Sequence, residues 1–308
     1  MDPGYDKPLY LLPFDHRHSY VSDMFKFTPP LSPAQHDRVA ASKRVIYEGL
    51  LQALADGAPR QCAGILVDEE FGASILSDAA GEGLVTAVSV ERSGSDAFEF
   101  EYGDAFGQHI DRFRPTFAKA LVRYNPDGDA ALNIRQTALL RKLSDFCRRS
   151  GTRLMFELLV PATPAQMASA AGSKDSYDSQ VRPGLMLRSL RALQDAGVEP
   201  DVWKIEGLDR RDDCERVVET ARRDGRRDVA CIVLGRGADR AKVAGWLTTA
   251  ATVPGFTGFA VGRTTFWDAV AGFEAQRLTR GQAIASIAQR YLEWVAIFSR
   301  RPGLAPAA

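Results

Sequence analysis

Short apolar runs recur along the chain, separated by longer stretches whose apolar positions repeat at helical spacing. The runs are Pro8–Phe14, Ala63–Val67, Leu84–Val90, Phe117–Val122, Leu154–Val160, Val202–Glu206, Val229–Leu234 and Thr257–Val261. Each is too short and too continuously apolar for an amphipathic helix, and reads as a strand covered on both faces. Between them, Ser32–Gly57 places Val39, Ile46, Leu50, Leu51 and Leu54 on one helical stripe and stops at Gly57. Ile134–Ser150, Leu185–Ala196, Arg211–Asp224, Arg240–Ala250 and Thr279–Phe298 carry the same period, and Ala73–Gly81 has room only for a short helix. Ser93–Asp111, rich in Gly, Asp and aromatics, and the small, polar stretch 161–181 read as loops.

Eight strands alternating with helices imply a parallel sheet, and eight such units in 308 residues fit a closed (β/α)8 barrel. No composition break divides the chain, so the expectation is one α/β domain over 1–308. A C-terminal helix over about 279–298 ends it, with a short flexible tail over 301–308. No G-x-G-x-x-G follows the first strand, which removes the main argument for a doubly wound dinucleotide-binding sheet.

Composition narrows the function classes. Residues are 45% hydrophobic and 25% charged, an ordinary globular balance. Basic and acidic residues number 39 each, so neither nucleic acid nor an acidic membrane surface is expected as a partner. No apolar run approaches the roughly 20 residues that span a bilayer, and Met1–Asp6 lacks a basic region leading into an apolar one, so a cytoplasmic protein is expected. Cys62, Cys147, Cys214 and Cys231 are scattered without a C-x-x-C pair, which suits buried thiols in a reducing compartment.

Chemistry in such barrels collects at the C-terminal ends of the strands. Those ends supply Asp15, His16 and Arg17; Asp68 and Glu69; Glu91 and Arg92; Lys119 and Arg123; Glu157; Lys204 and Glu206; Arg236; and Arg263. Any one of these fits an interior ion pair, but the set is more charge than solubility requires and points to a polar active site. The seventh and eighth runs end in Gly235-Arg236-Gly237 and Gly262-Arg263. Glycines there let backbone N–H groups approach an anion, and the arginines can add bidentate contacts to phosphate oxygens. A Gly-Arg pair can also simply turn a corner. Its presence after both strands makes a phosphorylated or otherwise anionic substrate the expectation.

The reactive group is read as a lysine. Lys204 and Glu206 lie two positions apart, hence on one face of a strand bounded by Pro200 and Gly207, as a salt bridge or a catalytic pair. A free lysine titrates near ~10.4, and a neutral amine at pH 7 needs a shift of about three units, roughly 4 kcal/mol. Desolvation and a nearby cation can supply it, and Lys119 and Lys204 could each lower the other. Attack of the amine on a ketone gives an iminium, an electron sink that lets the neighbouring C–C bond break, with Glu157 or Glu206 shuttling protons. His16-x-His18 is similar to the metal-binding H-x-H of barrel hydrolases, but only His36 and His109 remain, away from strand ends; no metal and no cofactor are expected. A metal-assisted barrel hydrolase or isomerase and a non-catalytic sugar-phosphate-binding barrel are the competing readings.

Between Leu9 and Val270 the chain resembles the lysine-dependent (class I) aldolases of the tagatose-1,6-bisphosphate and sulfofructose-phosphate type. It is most similar to the aldolase-like domain that follows the sugar kinase in deoxyketogluconokinase fusions of inositol catabolism. FDHR at Phe14, ILVDEEFG at Ile65, VERSG at Val90 and KALVRYNPDGD at Lys119 carry the first half of the resemblance. FELLVP at Phe156, VWKIE at Val202, VLGRGA at Val233 and AVGRTTFWDAV at Ala260 carry the second. It implies a Schiff base on Lys204, proton transfer by Glu157, substrate contacts from Lys119 and Asp15, and a phosphate site in the two Gly-Arg loops. Arg17 and Glu206 join the binding residues. His16 stands where those aldolases carry a glutamine, and Arg236 where they carry a small residue. The activity implied is cleavage of a phosphorylated keto sugar or keto-sugar acid, for example 5-dehydro-2-deoxygluconate 6-phosphate, to dihydroxyacetone phosphate and an aldehyde. With no kinase in this sequence, the barrel is expected to work alone or beside a separate kinase, and homo-oligomerisation stays open.

Overall fold

Eight parallel strands close on themselves in chain order in the computed structural model, which describes residues 3–299. They are β1 (Leu9–Pro13), β2 (Ala63–Val67), β3 (Val85–Ser89), β4 (Phe117–Arg123), β5 (Arg153–Leu159), β6 (Val202–Glu206), β7 (Ala230–Leu234) and β8 (Phe256–Ala260). With the surrounding helices they form the expected α/β architecture, a (β/α)8 barrel. β8 returns to β1 with Leu9 opposite Gly258 and Tyr10 opposite Phe259. Closure depends on Gly258: a Cβ there would lie 1.8 Å from the Leu9 carbonyl oxygen, so no larger residue lets these backbones meet.

The apolar runs are continuous because strand residues bury on both sides. Leu11, Leu66, Phe117, Met155, Val202 and Ile232 fill the barrel interior, while alternate residues such as Phe156, Trp203 and Val233 pack under the helices. Side chains two apart share a face. Phe117, Met155 and Val202 point inward, so Lys119, Glu157 and Lys204 lie one pleat step nearer the C-terminal mouth on the same inner face. The register places Glu157 beside Lys204.

The predicted helices appear as Pro33–Ala55, Ala130–Ser150, Arg182–Asp195, Arg211–Ala221, Arg240–Ala251 and Arg280–Ser299. Five segments depart from expectation. The helix after β2 runs over Glu69–Gly81, because the Asp68 side chain caps it by accepting from the Phe71 amide at 2.8 Å. Ser93–Asp111 contains most of the helix Phe106–Phe113, and 161–181 contains Pro164–Ser169, begun by a capping box between Thr163 and Gln166. Helices His18–Phe25 and Arg263–Glu274 lie where none was predicted. All four cysteines are buried and unpaired by disulfides, and no helix among the described residues is long and apolar enough to cross a membrane. The tail over 301–308 lies outside the described residues.

Candidate active site

At the C-terminal mouth the strand ends enclose a cavity of about 490 Å³. Asp15, His16 and Arg17 line it from the loop after β1, Glu91 and Ser93–Ala97 from the loop after β3, and Lys119, Glu157 and Lys204 from within the barrel. Gly235–Gly237, Gly262 and Arg263 line the side formed by β7 and β8.

The floor is a chain of charges. Lys119 Nζ lies 2.7 Å from Asp15 Oδ2, 2.7 Å from Glu91 Oε1 and 2.8 Å from Glu157 Oε2. Glu157 Oε2 also lies 2.8 Å from Lys204 Nζ. All five side chains are buried, so these contacts act in a low-dielectric setting. Burial opposes a charge on Lys119, but Asp15, Glu157 and Glu91 hold its pKa well above the ordinary lysine value. Burial likewise opposes ionisation of Asp15 and Glu157, and Lys119 and then Lys204 hold both carboxyls below the usual range. Lys119 is therefore a fixed cation at the centre of three carboxylates, and not an isolated charge set against Lys204. Among the described residues Lys204 pairs with one carboxylate, through the oxygen it shares with Lys119.

Glu91 is further fixed by the Leu121 amide, which donates to Oε2 at 3.2 Å, and its backbone carbonyl accepts from Arg17 Nη2. Arg17 also pairs with Glu101 at 2.5 Å, so its guanidinium is committed within the wall of the cavity. The strand-end position of Glu91 was visible in the sequence. The pairing of Arg17 with Glu101, 84 residues away, left no local signal.

Glu206, expected beside Lys204 as a proton carrier or binding residue, does not line the cavity. Its Oε2 accepts from the Val160 amide at 2.9 Å, and its Oε1 lies 2.9 Å from Arg236 Nε. Arg236 also pairs with Asp178 at 2.8 Å. The arginine after β7 is thus neutralised by two carboxylates, although it borders the cavity. Arg263 differs. Its Nη2 donates to Ser19 Oγ at 2.6 Å, its Nε is buried without a partner, and no carboxylate pairs with it among the described residues. Gly262 in front of it presses on β1: a Cβ there would lie 2.3 Å from the Pro13 carbonyl oxygen. Ser19, absent from the expected site, comes from the unpredicted helix His18–Phe25.

Asp68 and Glu69 are also placed elsewhere. Asp68 pairs with the fully buried Lys43 beneath the β1 loop, and Glu69 binds His109 at 2.7 Å and Arg112 at 3.2 Å. His109 stacks on Tyr102 and His36 lies against Phe71, so of the histidines His16 and His18 border the cavity. Burial depresses the His16 imidazole to about 4; Asp15 opposes this, while Arg263 and Lys204 reinforce it.

The cavity therefore combines an amine touching a carboxylate, a second amine fixed as a cation, and an unneutralised arginine behind a glycine turn. Such a set can take up a carbonyl compound that bears an anion, and move protons at it.

The family model described as "Uncharacterized protein conserved in bacteria (DUF2090)" matches residues 4–302. No curated protein matches the chain. Among solved structures the chain is similar to a fructose-bisphosphate aldolase from Plasmodium falciparum, in complex with TRAP and a small-molecule inhibitor. That TM-score is 0.62 at 13% identity, covering 96% of this chain and 91% of the other. It is also similar to Cgl0159 from Corynebacterium glutamicum (Brevibacterium flavum), with a TM-score of 0.56 and 17% identity over 95% and 88% of the two chains. At these identities the likeness is one of fold.

Proposed function

The chain belongs to that bacterial family, and we propose that it is a lysine-dependent (class I) aldolase, a lyase that cleaves a phosphorylated keto sugar or keto-sugar acid to dihydroxyacetone phosphate and an aldehyde. The observation that carries this reading is the shared oxygen of Glu157, 2.8 Å from Lys204 Nζ and 2.8 Å from Lys119 Nζ. One lysine is locked as a cation, and the other stands at the cavity floor with a proton acceptor in contact. The barrel it shares with a fructose-bisphosphate aldolase supports the reading at the level of fold, and the resemblance in strand-end motifs supports it at the level of residues.

In the proposed reaction Lys204 gives a proton to Glu157, and the freed amine adds to the substrate ketone. The proton then lost by the attacking nitrogen and the proton held by Glu157 both pass to the carbinolamine oxygen, which leaves as water. The resulting iminium accepts the electron pair of the adjacent C–C bond as the β-hydroxyl loses its proton to Asp15, kept ionised by Lys119, and the aldehyde departs. Protonation of the enamine and hydrolysis then free the ketone and the lysine. The phosphate is assigned to the Gly262–Arg263 turn. 5-Dehydro-2-deoxygluconate 6-phosphate fits this scheme as a keto-sugar acid with an anion at each end.

The test is release of dihydroxyacetone phosphate from that compound, followed by coupled reduction with and without chelator. Expected are turnover indifferent to chelator, its loss in Lys204→Met, and a fall in kcat of about 10²–10⁴-fold in Glu157→Gln. Turnover that persists in Lys204→Met, or that chelator abolishes, rejects the mechanism.

A further inference from the structure

His16 is held in place by several contacts before any ligand arrives. Its backbone carbonyl accepts from Lys43 Nζ at 3.0 Å, and its ring meets Phe266 edge-on with 6.2 Å between centroids. The ring also lies against the turn after β8: a Cβ built on Gly262 would come within 3.4 Å of His16 Cε1. The side chain lines the cavity, yet Nδ1 is buried and has no hydrogen-bond partner among the described residues. Burial, reinforced by Arg263 and Lys204 and opposed by Asp15, keeps the imidazole neutral near pH 7.

A neutral imidazole carries one N–H. Placing it on Nδ1 would bury a donor without an acceptor, an arrangement proteins avoid more strictly than a bare acceptor. The proton therefore belongs on Nε2, the ring nitrogen left to the cavity.

Beside the ring stands the turn after β8. Gly262 leads into the helix Arg263–Glu274, whose first turn has no side-chain cap and no acidic residue. The first N–H groups of a helix lack internal partners and favour negative charge. Arg263 adds an unneutralised guanidinium with a buried, unpartnered Nε.

We propose that His16 is a phosphate ligand, its Nε2–H donating to an oxygen of a phosphate monoester seated at the Gly262–Arg263 turn. The proposal rests on the sugar-phosphate reading above and deepens it. The β8 turn and Arg263 supply the charge, and β1 supplies a neutral donor that fixes the phosphate's orientation next to Lys204.

Calorimetric titration of Lys204→Met with dihydroxyacetone phosphate isolates this contact, because no Schiff base can form there. Adding His16→Phe is expected to weaken binding about tenfold, and His16→Gln, which restores an N–H donor, to recover part of it. In the native chain with nitrogen-labelled histidine, inorganic phosphate is expected to move the His16 Nε2 resonance and to leave those of His36 and His109 in place. Unchanged affinity in His16→Phe, a silent His16 resonance, or no binding of dihydroxyacetone phosphate at all overturns the proposal. Should His16→Phe not fold, the resonance measurement on the native chain decides. Tight, His16-dependent phosphate binding without any cleavage would support the ligand role and reject the aldolase reading alone.

Discussion

Lys119 Nζ and Lys204 Nζ contact the same carboxylate oxygen, Glu157 Oε2, each at 2.8 Å. The two amines are otherwise unequal, because Asp15 and Glu91 pair directly with Lys119 and, among the described residues, neither pairs with Lys204. This inequality separates a structural cation from a candidate nucleophile.

Lys119→Met leaves three buried carboxylates around an apolar side chain. Breaking a buried pair from one side costs about 3–5 kcal/mol, so urea unfolding should show a loss of that order. Lys204→Met removes one of two cations from Glu157 and should cost less than half as much. Equal losses would contradict the asymmetry.

Gly262 and Gly235 offer a graded test of the cavity rim. A Cβ at Gly262 would meet the Pro13 carbonyl oxygen at 2.3 Å, a backbone atom with no easy escape, whereas one at Gly235 meets Val261 Cγ1 at 3.1 Å. Gly262→Ala is expected to destabilise by about 1–3 kcal/mol and to lose phosphate affinity. Gly235→Ala should fall below about 1 kcal/mol and bind phosphate nearly as the native chain does. Calorimetry on both variants checks the order.

His16 makes stability depend on pH. Its folded-state pKa lies at about 4, against an ordinary value near ~6.5. Between those values the unfolded chain binds a proton that the folded chain refuses, so stability is full above about pH 6.5 and falls as the pH drops toward 4. The contribution lost between pH 7 and pH 5 is about 2 kcal/mol. Asp15 and Glu157, held below the ordinary carboxylate range, stay ionised in this window. Urea unfolding at the two pH values should show the loss in the native chain and a smaller one in His16→Gln.

Much of this organisation is legible in the sequence because parallel barrel strands are covered on both faces. Val202–Glu206 stands out as a continuous buried run and folds as β6 with the same bounds, and a lysine inside such a run has little reason to be there unless its charge is used. The fate of Glu206 is not legible. Its partners, the Val160 amide and Arg236, come from neighbouring strand ends whose loops the strand pattern does not fix. Asp68 carried a readable signal, an aspartate three residues before Phe71 at a helix start, but its place after an apolar run suggested a catalytic strand end instead. Ser19 reaches Arg263 across 244 residues, a contact that only closure of β8 on β1 creates.

The central claim is that Lys204 is the nucleophile. Incubation with dihydroxyacetone phosphate and borohydride, followed by peptide mass mapping, tests it most directly. One reduced adduct is expected, on Lys204, absent from Lys204→Met and never on Lys119. An adduct on Lys119, or none on any lysine of the native chain, would contradict it.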